Sequence, residues 1–470
     1  MPTRNVIIGG GPAGMYAIEE IRRADPAAQI TLVSDEPAYA RMALPYYLAG
    51  EVPEEQVFTG GPDFYQRLGV DARLGRQARQ LDTAARTVAL DDGATLPYDN
   101  LLLATGSRAQ RLPVPGADLP GVITLWALAD ARQAIQALPP GAEVCLIGAG
   151  FIGFIVLNAI YKRGNRQRVV EIEDQILPRM LDRESAQMVQ QWLAGKGIEV
   201  RTGEGVTAIE ARDGRKAIRF ASGGQVLADL VILATGVQPN IDLAREAGIE
   251  CQQGILVDNH CRTSAPGVYA AGDCAQGPEL ITGRREVHAI QPTAVDHGRV
   301  AGANMGGQDV AYVGSLAMNI LDVCGLHCVS YGQWASDGRE EQRIVNATLP
   351  NTRKIVWDGT RIVGAIVVAP PDDSTMLNDV GMLKGFIQSQ AELGAWKRYI
   401  EENPADLRRA YIGAGIPARL IPYRTTGSPS ASRSFRYQNA EPVTQRTEWH
   451  RLLIESRPEM PEGPPPAAAG

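Results

Sequence analysis

The sequence predicts an α/β protein in which two domains built on βαβ units precede a C-terminal α+β domain. The prediction rests on a strand, glycine-turn and helix phrase that occurs twice, a second matched phrase downstream of each copy, and a change of texture near residue 310. In the first copy Val6, Ile7 and Ile8 lead into Gly9-Gly10-Gly11-Pro12-Ala13-Gly14, and a helical pattern continues to about Ala24. In the second, Val144, Cys145, Leu146 and Ile147 lead into Gly148-Ala149-Gly150-Phe151-Ile152-Gly153, with a helical pattern to about Arg163. Each helix precedes an apolar strand that ends in an acid, Asp35 or Glu171. Strand, turn, helix and strand in that order make a βαβ unit. The matched downstream phrases are Leu102-Leu103-Ala104-Thr105-Gly106 and Ile232-Leu233-Ala234-Thr235-Gly236.

A length of 470 residues corresponds to about three domains. The phrases divide it into a first domain in two parts, residues 1–112 and 242–308, around a second at 113–241. Residues 309–424 form the third, where apolar segments such as Ile362, Val363, Ala365, Ile366, Val367 and Val368 predict strands, closed by helices near 376–390 and 404–411. Residues 425–470, rich in Ser, Pro and Arg, read as a flexible or partner-docking tail, with Trp449, Leu452, Leu453 and Ile454 as a candidate docking helix.

A net charge of -7 gives no basic field for nucleic acid. The start MPTRNVIIGGG lacks the layout of a secretion signal, and no run approaches the ~18 apolar residues of a membrane span, so a cytoplasmic protein is expected. The six cysteines, at 145, 251, 261, 274, 324 and 328, lack disulfide-framework or zinc spacing, so reduced thiols and no metal site are expected. Cys324 and Cys328 form a C-x3-C pair that reads as buried structural thiols ahead of a redox pair.

Glycine content sharpens the reading: 50 of 470 residues, about 11%, against roughly 7% on average. In a G-x-G-x-x-G turn the first glycine permits the bend, the second lets a pyrophosphate approach the backbone, and the third lets helix and strand pack closely. The free N–H groups and positive dipole end of the helix then bind the anion. Asp35 lies 21 residues after Gly14 and Glu171 18 after Gly153, the spacing at which an acid accepts hydrogen bonds from a ribose diol. Both domains therefore read as Rossmann-like dinucleotide-binding domains. One prosthetic and one diffusible dinucleotide are what a flavin enzyme reduced by a nicotinamide needs, so FAD and NAD(H) are expected. A carboxylate at Glu171 repels a 2′-phosphate and favours NAD(H) over NADP(H), although Arg163, Arg166 and Arg168 lie close in sequence.

With those motifs in place, the chain resembles the FAD/NAD-dependent pyridine nucleotide oxidoreductases over about residues 4–420. Val268-Tyr269-Ala270-Ala271-Gly272-Asp273-Cys274 is similar to the family's second flavin motif, which implies that Asp273 bonds the ribityl chain and Cys274 is a small filler. Residues 291–302 resemble the helix whose N-terminus faces the flavin pyrimidine edge, with His297 there for packing or capping. The resemblance assigns FAD contacts to Gly9, Gly11, Pro12, Ala13, Gly14, Asp35, Arg41, Ala78, Thr105, Gly106, Gly272, Asp273 and Ala294. It assigns NAD contacts to Gly148, Gly150, Phe151, Ile152, Gly153, Glu171 and Gly236.

Departures from the family pattern narrow the branch. The C-x4-C pair and C-terminal His-Pro of the disulfide reductases are missing. In Arg41-Met42-Ala43-Leu44-Pro45-Tyr46-Tyr47, Met42 stands where peroxidases and coenzyme A disulfide reductases carry their nucleophilic cysteine, and a thioether forms neither thiolate nor disulfide. Ferredoxin reductases share Arg41 and often have a lysine near flavin N5 where this chain has Tyr46. Phe151 matches the aromatic that covers the flavin, and Ile155 replaces a usual Glu, with core packing an equal reading for Ile155. Met42, Tyr46, Phe151 and Ile155 imply a dry flavin pocket without a side-chain acid or base, suited to hydride and electron transfer.

The resulting expectation is an NADH:acceptor oxidoreductase whose acceptor is an iron–sulfur or other electron-carrier protein. Residues 314–326 and the segment after Ala369 resemble the nitrite-reductase-like and assimilatory branches, where the flavoprotein is often a subunit of a larger redox complex, such as a tungsten aldehyde oxidoreductase. The alternatives are a flavin-bound redox-sensing or assembly protein, and an NADH oxidase or quinone reductase. The third domain is a common dimer surface in the family it resembles, and that resemblance implies a homodimer unless an enclosing hetero-oligomer replaces it.

Overall fold

The computed structural model describes residues 2–139, 141–346 and 349–420. Its framework is two parallel five-stranded sheets of the same design. In the first, the order is Val268–Ala270, Asn100–Leu103, Arg4–Ile8, Gln29–Ser34 and Val70–Leu74. In the second it is Glu199–Arg201, Arg166–Val170, Glu143–Ile147, Leu230–Leu233 and Val122–Thr124. Helices cover parallel sheets on both faces, which is why these strands are near-continuous apolar runs and why Val6, Ile7, Ile8, Leu101, Leu102 and Leu103 are all buried. The glycine-turn strand is central in each sheet, between the acid-ending strand and the strand of the matched phrase. The backbone bonds repeat too: Gly9 N–H to Val33 and Ala104 N–H to Ile8 correspond to Gly148 N–H to Val170 and Ala234 N–H to Ile147, all at 2.8 Å.

A further level of repetition escapes the sequence reading. Each sheet carries an antiparallel three-stranded meander, Ala78–Asp82 with Thr87–Leu90 and Thr95–Pro97 in one, Val206–Arg212 with Arg215–Phe220 and Gln225–Ala228 in the other. Asp213 and Gly214, both at positive φ, make the tight turn that the right-handed twist of a hairpin favours. The two halves are tied by a small antiparallel ribbon, Ser107–Ala109 against Val237–Pro239, formed just past the two matched phrases.

Helix Gln291–Met305 lies against helix Pro12–Ala24 at a distance only glycine allows. A Cβ on Gly298 would sit 2.3 Å from the Ala13 carbonyl oxygen, and one on Gly302 2.6 Å from that of Ala17. With spacing i, i+4 these glycines form one stripe, so the two helix N-termini emerge side by side.

The C-terminal sheet is antiparallel, in the order Met318–Val323, Leu326–Gly332, Arg361–Ala369, Thr352–Asp358 and Glu340–Val345. Cys324 and Gly325 form its first tight turn, both at positive φ. Cys324 and Cys328 are buried free thiols in the core shared with the second parallel sheet, and burial pushes Cys324 up to about 12, which suits the structural reading. Trp192 Nε1–H donates to the Val323 and Cys324 carbonyls at 3.1 and 3.2 Å, and Asp182 pairs with Arg343 and Lys354, which docks this sheet on the second half. Helix Ser374–Ser389 covers the sheet, and Leu407–Gly413 is close to the expected second helix. Two short helices, Ala395–Glu402 and Ile416–Leu420, were not expected; each spans about two turns or fewer, too short for a periodic signal. No described helix is long and apolar enough to cross a membrane. The expected tail at 425–470, with Trp449, Leu452, Leu453 and Ile454, lies outside the described residues.

The glycine stripe generates a test. Gly302→Ala should lower stability by about 1–3 kcal/mol through overpacking, whereas Gly195→Ala, in a helix with nothing within 4 Å of the added Cβ, should not destabilise; thermal or urea unfolding of both variants distinguishes the two cases.

Candidate active site

The two glycine bends share one geometry. Gly9 (φ +112°) and Gly148 (φ +104°) adopt a backbone that favours glycine, and a Cβ on them would lie 2.0 Å from the Ala104 oxygen and 2.4 Å from the Ala234 oxygen. The third glycines hold each helix against its bend: a Cβ on Gly14 would be 2.1 Å from the Gly9 oxygen, and one on Gly153 2.4 Å from the Gly148 oxygen. The middle glycines differ. Gly11 and Gly150 have nothing within 4 Å of an added Cβ, and each is the N-cap of a helix with no side-chain cap and no acid in its first turn. Uncapped N–H groups at an open, positive helix end fit a pyrophosphate at both bends.

The two ribose candidates are not equivalent. Glu171 is buried and folded onto its own bend, where it accepts the Ala149 N–H at 2.5 Å and the Glu173 N–H at 3.0 Å. Each of its oxygens keeps a free acceptor direction. Arg168 is paired with Glu199, Arg166 lies nearest Glu143, and Arg163 donates to the Leu48 carbonyl, so all three arginines have other partners. Asp35 is exposed, with the Gln77 amide 3.4 Å away. Its neighbour Glu36 is instead tied in, accepting from Tyr39 O–H and Arg41.

The other flavin-side positions converge. A Cβ on Gly272 (φ +78°) would lie 3.2 Å from Ala13 Cβ and 3.5 Å from Ala294 Cβ. Asp273 beside it is half-buried and accepts the Ser107 hydroxyl at 2.7 Å; desolvation pushes its carboxyl up, opposed by Ser107 and the Arg41 charge. Arg41 donates to the Trp126 carbonyl at 2.7 Å and pairs with Glu36 at 3.0 Å. Thr105 and Asn240 exchange hydrogen bonds at 2.6 and 2.9 Å, and Gly106 accepts the Asn240 N–H. Gly236 accepts the Gln110 N–H, while Ala78 opens the first meander against the core holding Ile8 and Val33. Ile152 and Gly236 line one small crevice with Trp126.

Met42 and Tyr46 are 49% and 52% exposed, while Phe151 and Ile155 are half-buried against the second core, so Ile155 does carry packing. Pro12 begins its helix at the first position, where a missing N–H costs nothing. His297 is buried edge-to-face on Tyr312, with neither ring nitrogen hydrogen-bonded among the described residues; burial pushes it down to about 4. Cys274 is buried against the Leu103 carbonyl, as a filler should be. Sequence reasoning missed Glu36, Ser107, Trp126 and Asn240. Glu36 and Ser107 adjoin residues it did find, but Trp126 and Asn240 carry no local motif.

Residues 3–287 match the pyridine nucleotide-disulphide oxidoreductase family. The chain is 32% identical over 334 residues to the epsilon subunit of NADH-dependent phenylglyoxylate dehydrogenase from Aromatoleum evansii, covering 70% of this chain and 79% of the relative. It is 38% identical over 284 residues to the ferredoxin–NAD(+) reductase component of the biphenyl dioxygenase system from Paraburkholderia xenovorans (strain LB400), covering 60% and 69%. An NAD-dependent persulfide reductase from A. fulgidus shares the structure with a TM-score of 0.77 at 28% identity, covering 83% of this chain and 78% of that one. The chain belongs to the pyridine nucleotide-disulphide oxidoreductase family. It is an FAD-dependent NAD(P)H oxidoreductase, and the two open bends fit the two dinucleotides this class uses.

Gly150→Val places its side chain in open space, so the variant should fold with near-normal stability and keep bound flavin while NADH affinity falls at least about tenfold; flavin content and NADH titration check it. His297 supplies a pH test. Its folded value near 4 lies below the ordinary 6.5, so its contribution is complete above pH 6.5 and is lost as pH falls to 4. His297→Phe should remove up to about 3 kcal/mol of that acid-side loss, read as the difference in urea unfolding between pH 7 and pH 4.

Proposed function

We propose that this protein takes hydride from NADH and delivers electrons to an iron–sulfur or other electron-carrier protein, as a component of a multi-component redox enzyme. The observation that carries the reading is the pair of uncrowded bends, Gly11 and Gly150, in a chain whose nucleophile position holds Met42. Bound FAD would supply the chemistry, since a flavin can take the two electrons of one hydride and release them one at a time.

The chain's own residues bind and orient. The helix starting at Pro12, with Gly9, Gly11, Ala13 and Gly14, holds the FAD pyrophosphate, and Arg41 neutralises charge beside it. Asp273, kept in place by Ser107, faces the ribityl chain, and Gly272 and Ala294 close the wall. Thr105 and Gly106 shape the passage between the halves, while Ala78 and Asp35 would hold the adenosine end of FAD, Asp35 at its ribose. Gly148, Gly150, Ile152, Gly153 and Gly236 receive NAD(H), with Glu171 on its ribose diol. Phe151 and Ile155 shield the nicotinamide face from water, while Met42 and Tyr46 leave an accessible apolar rim. No side-chain acid, base or thiol is needed.

The partner class follows the names of the relatives, one a ferredoxin–NAD(+) reductase component and one a subunit of an NADH-dependent dehydrogenase. A cytoplasmic location and assembly with a carrier protein complete the proposal. The holoprotein should have its flavin band bleached anaerobically by NADH far more readily than by NADPH, and should then reduce ferricyanide with peroxide turnover at background. Unchanged flavin absorbance on adding NADH would contradict the proposal.

A further inference from the structure

Trp126 touches residues of both nucleotide sites, and nothing in the two glycine motifs accounts for it. Its backbone is fixed first: Asp130 accepts the Trp126 and Ala127 N–H groups at 2.8 and 2.9 Å, capping the helix Leu128–Ala137. The indole therefore has a defined origin. Its Nε1–H donates to the Ser107 carbonyl at 2.7 Å, and the hydroxyl of the same Ser107 donates to Asp273 at 2.7 Å. Its face carries the Arg41 guanidinium, 5.5 Å from the ring centroid, while its carbonyl accepts from Arg41 at 2.7 Å. Tyr39 flanks Arg41 from another side at 5.2 Å. Trp126 also lines, with Leu125, Ile152, Ala234 and Gly236, the small crevice beside the second glycine bend.

We propose that Trp126 is a positioning residue shared by the two nucleotide sites, setting Arg41 and the Ser107–Asp273 pair on the FAD side and forming a wall of the pyridine-nucleotide pocket on the other. The assignment rests on the functional reading above, because it uses the FAD and NAD(H) places defined there. An indole meets both demands: it offers a broad π face for a guanidinium and, in the plane of that face, an N–H for a carbonyl.

The experiment compares Trp126→Ala and Trp126→Phe with wild type in three readouts: the FAD Kd of the apoprotein, the NAD(+) Kd of the holoprotein from flavin spectral perturbation, and the split between KM for NADH and kcat. Trp126→Ala loses the face and the donor, so both Kd values should rise about tenfold, with KM for NADH affected more than kcat. Trp126→Phe keeps a face for Arg41 and loses the donor, so NAD(+) binding should recover while FAD binding stays weakened. If Trp126→Ala does not fold, Trp126→Leu, which also loses face and donor, replaces it: a fall in both FAD and NAD(+) affinity, with the FAD loss non-additive with that of Arg41→Met, supports the shared role, and a fall at one site or additive losses overturn it. In Trp126→Ala, a change confined to one site, or wild-type affinity at both, also overturns it. A wild-type protein that is not bleached by NADH would overturn the functional reading instead, and this assignment with it.

Discussion

The structure depends on a contact that a side chain would forbid. In each half the first glycine of the bend presses its Cα against the carbonyl that ends the neighbouring strand, Gly9 against Ala104 and Gly148 against Ala234. That contact sets how sharply the chain turns from sheet to helix, and the third glycine sets how close the helix then lies. Together they bring an uncapped helix N-terminus over the carboxyl edge of a parallel sheet, where its dipole and N–H groups attract an anion. The chain uses one solution twice, and the second bend repeats the geometry of the first.

The carbonyls of Ala104 and Ala234 also begin the passage between the halves. Immediately after them Thr105 and Gly106 are locked to Asn240, Thr235 donates to the Gln110 carbonyl, and the crossing ribbon follows. The segments that follow the carbonyls packed against the two bends thus fix one half relative to the other. The glycine stripe of helix Gln291–Met305 adds a second N-terminus beside the first and brings Ala13, Gly272 and Ala294 together. The C-terminal sheet, held to the second half by Trp192 and Asp182, completes the far side of that half.

Much of this was legible in the sequence because it is local. The glycine turns, their helices and the acid-ending strands are short contiguous phrases with a direct backbone meaning, and the structure places each of them as read. Side-chain partnership is a different matter. Asp35 and Glu171 have matching spacings, yet one is exposed beside Gln77 and the other folds onto its own bend, because spacing fixes where a Cα lies and not what its carboxylate meets. Trp126 and Asn240 were invisible because their partners are distant in the chain, Arg41 by 85 positions and Thr105 by 135. The meanders were missed because their strands are short and half-exposed, so turn residues such as Asp213 and Gly214 were their only signal.

The most direct measurement of the central claim is the number of dinucleotides one chain holds at once. Native mass spectrometry of the holoprotein, titrated with NAD(+), should show a species carrying one FAD and one NAD(+) per chain. Saturation at a single dinucleotide per chain, with NAD(+) either excluded or displacing FAD, would contradict the account.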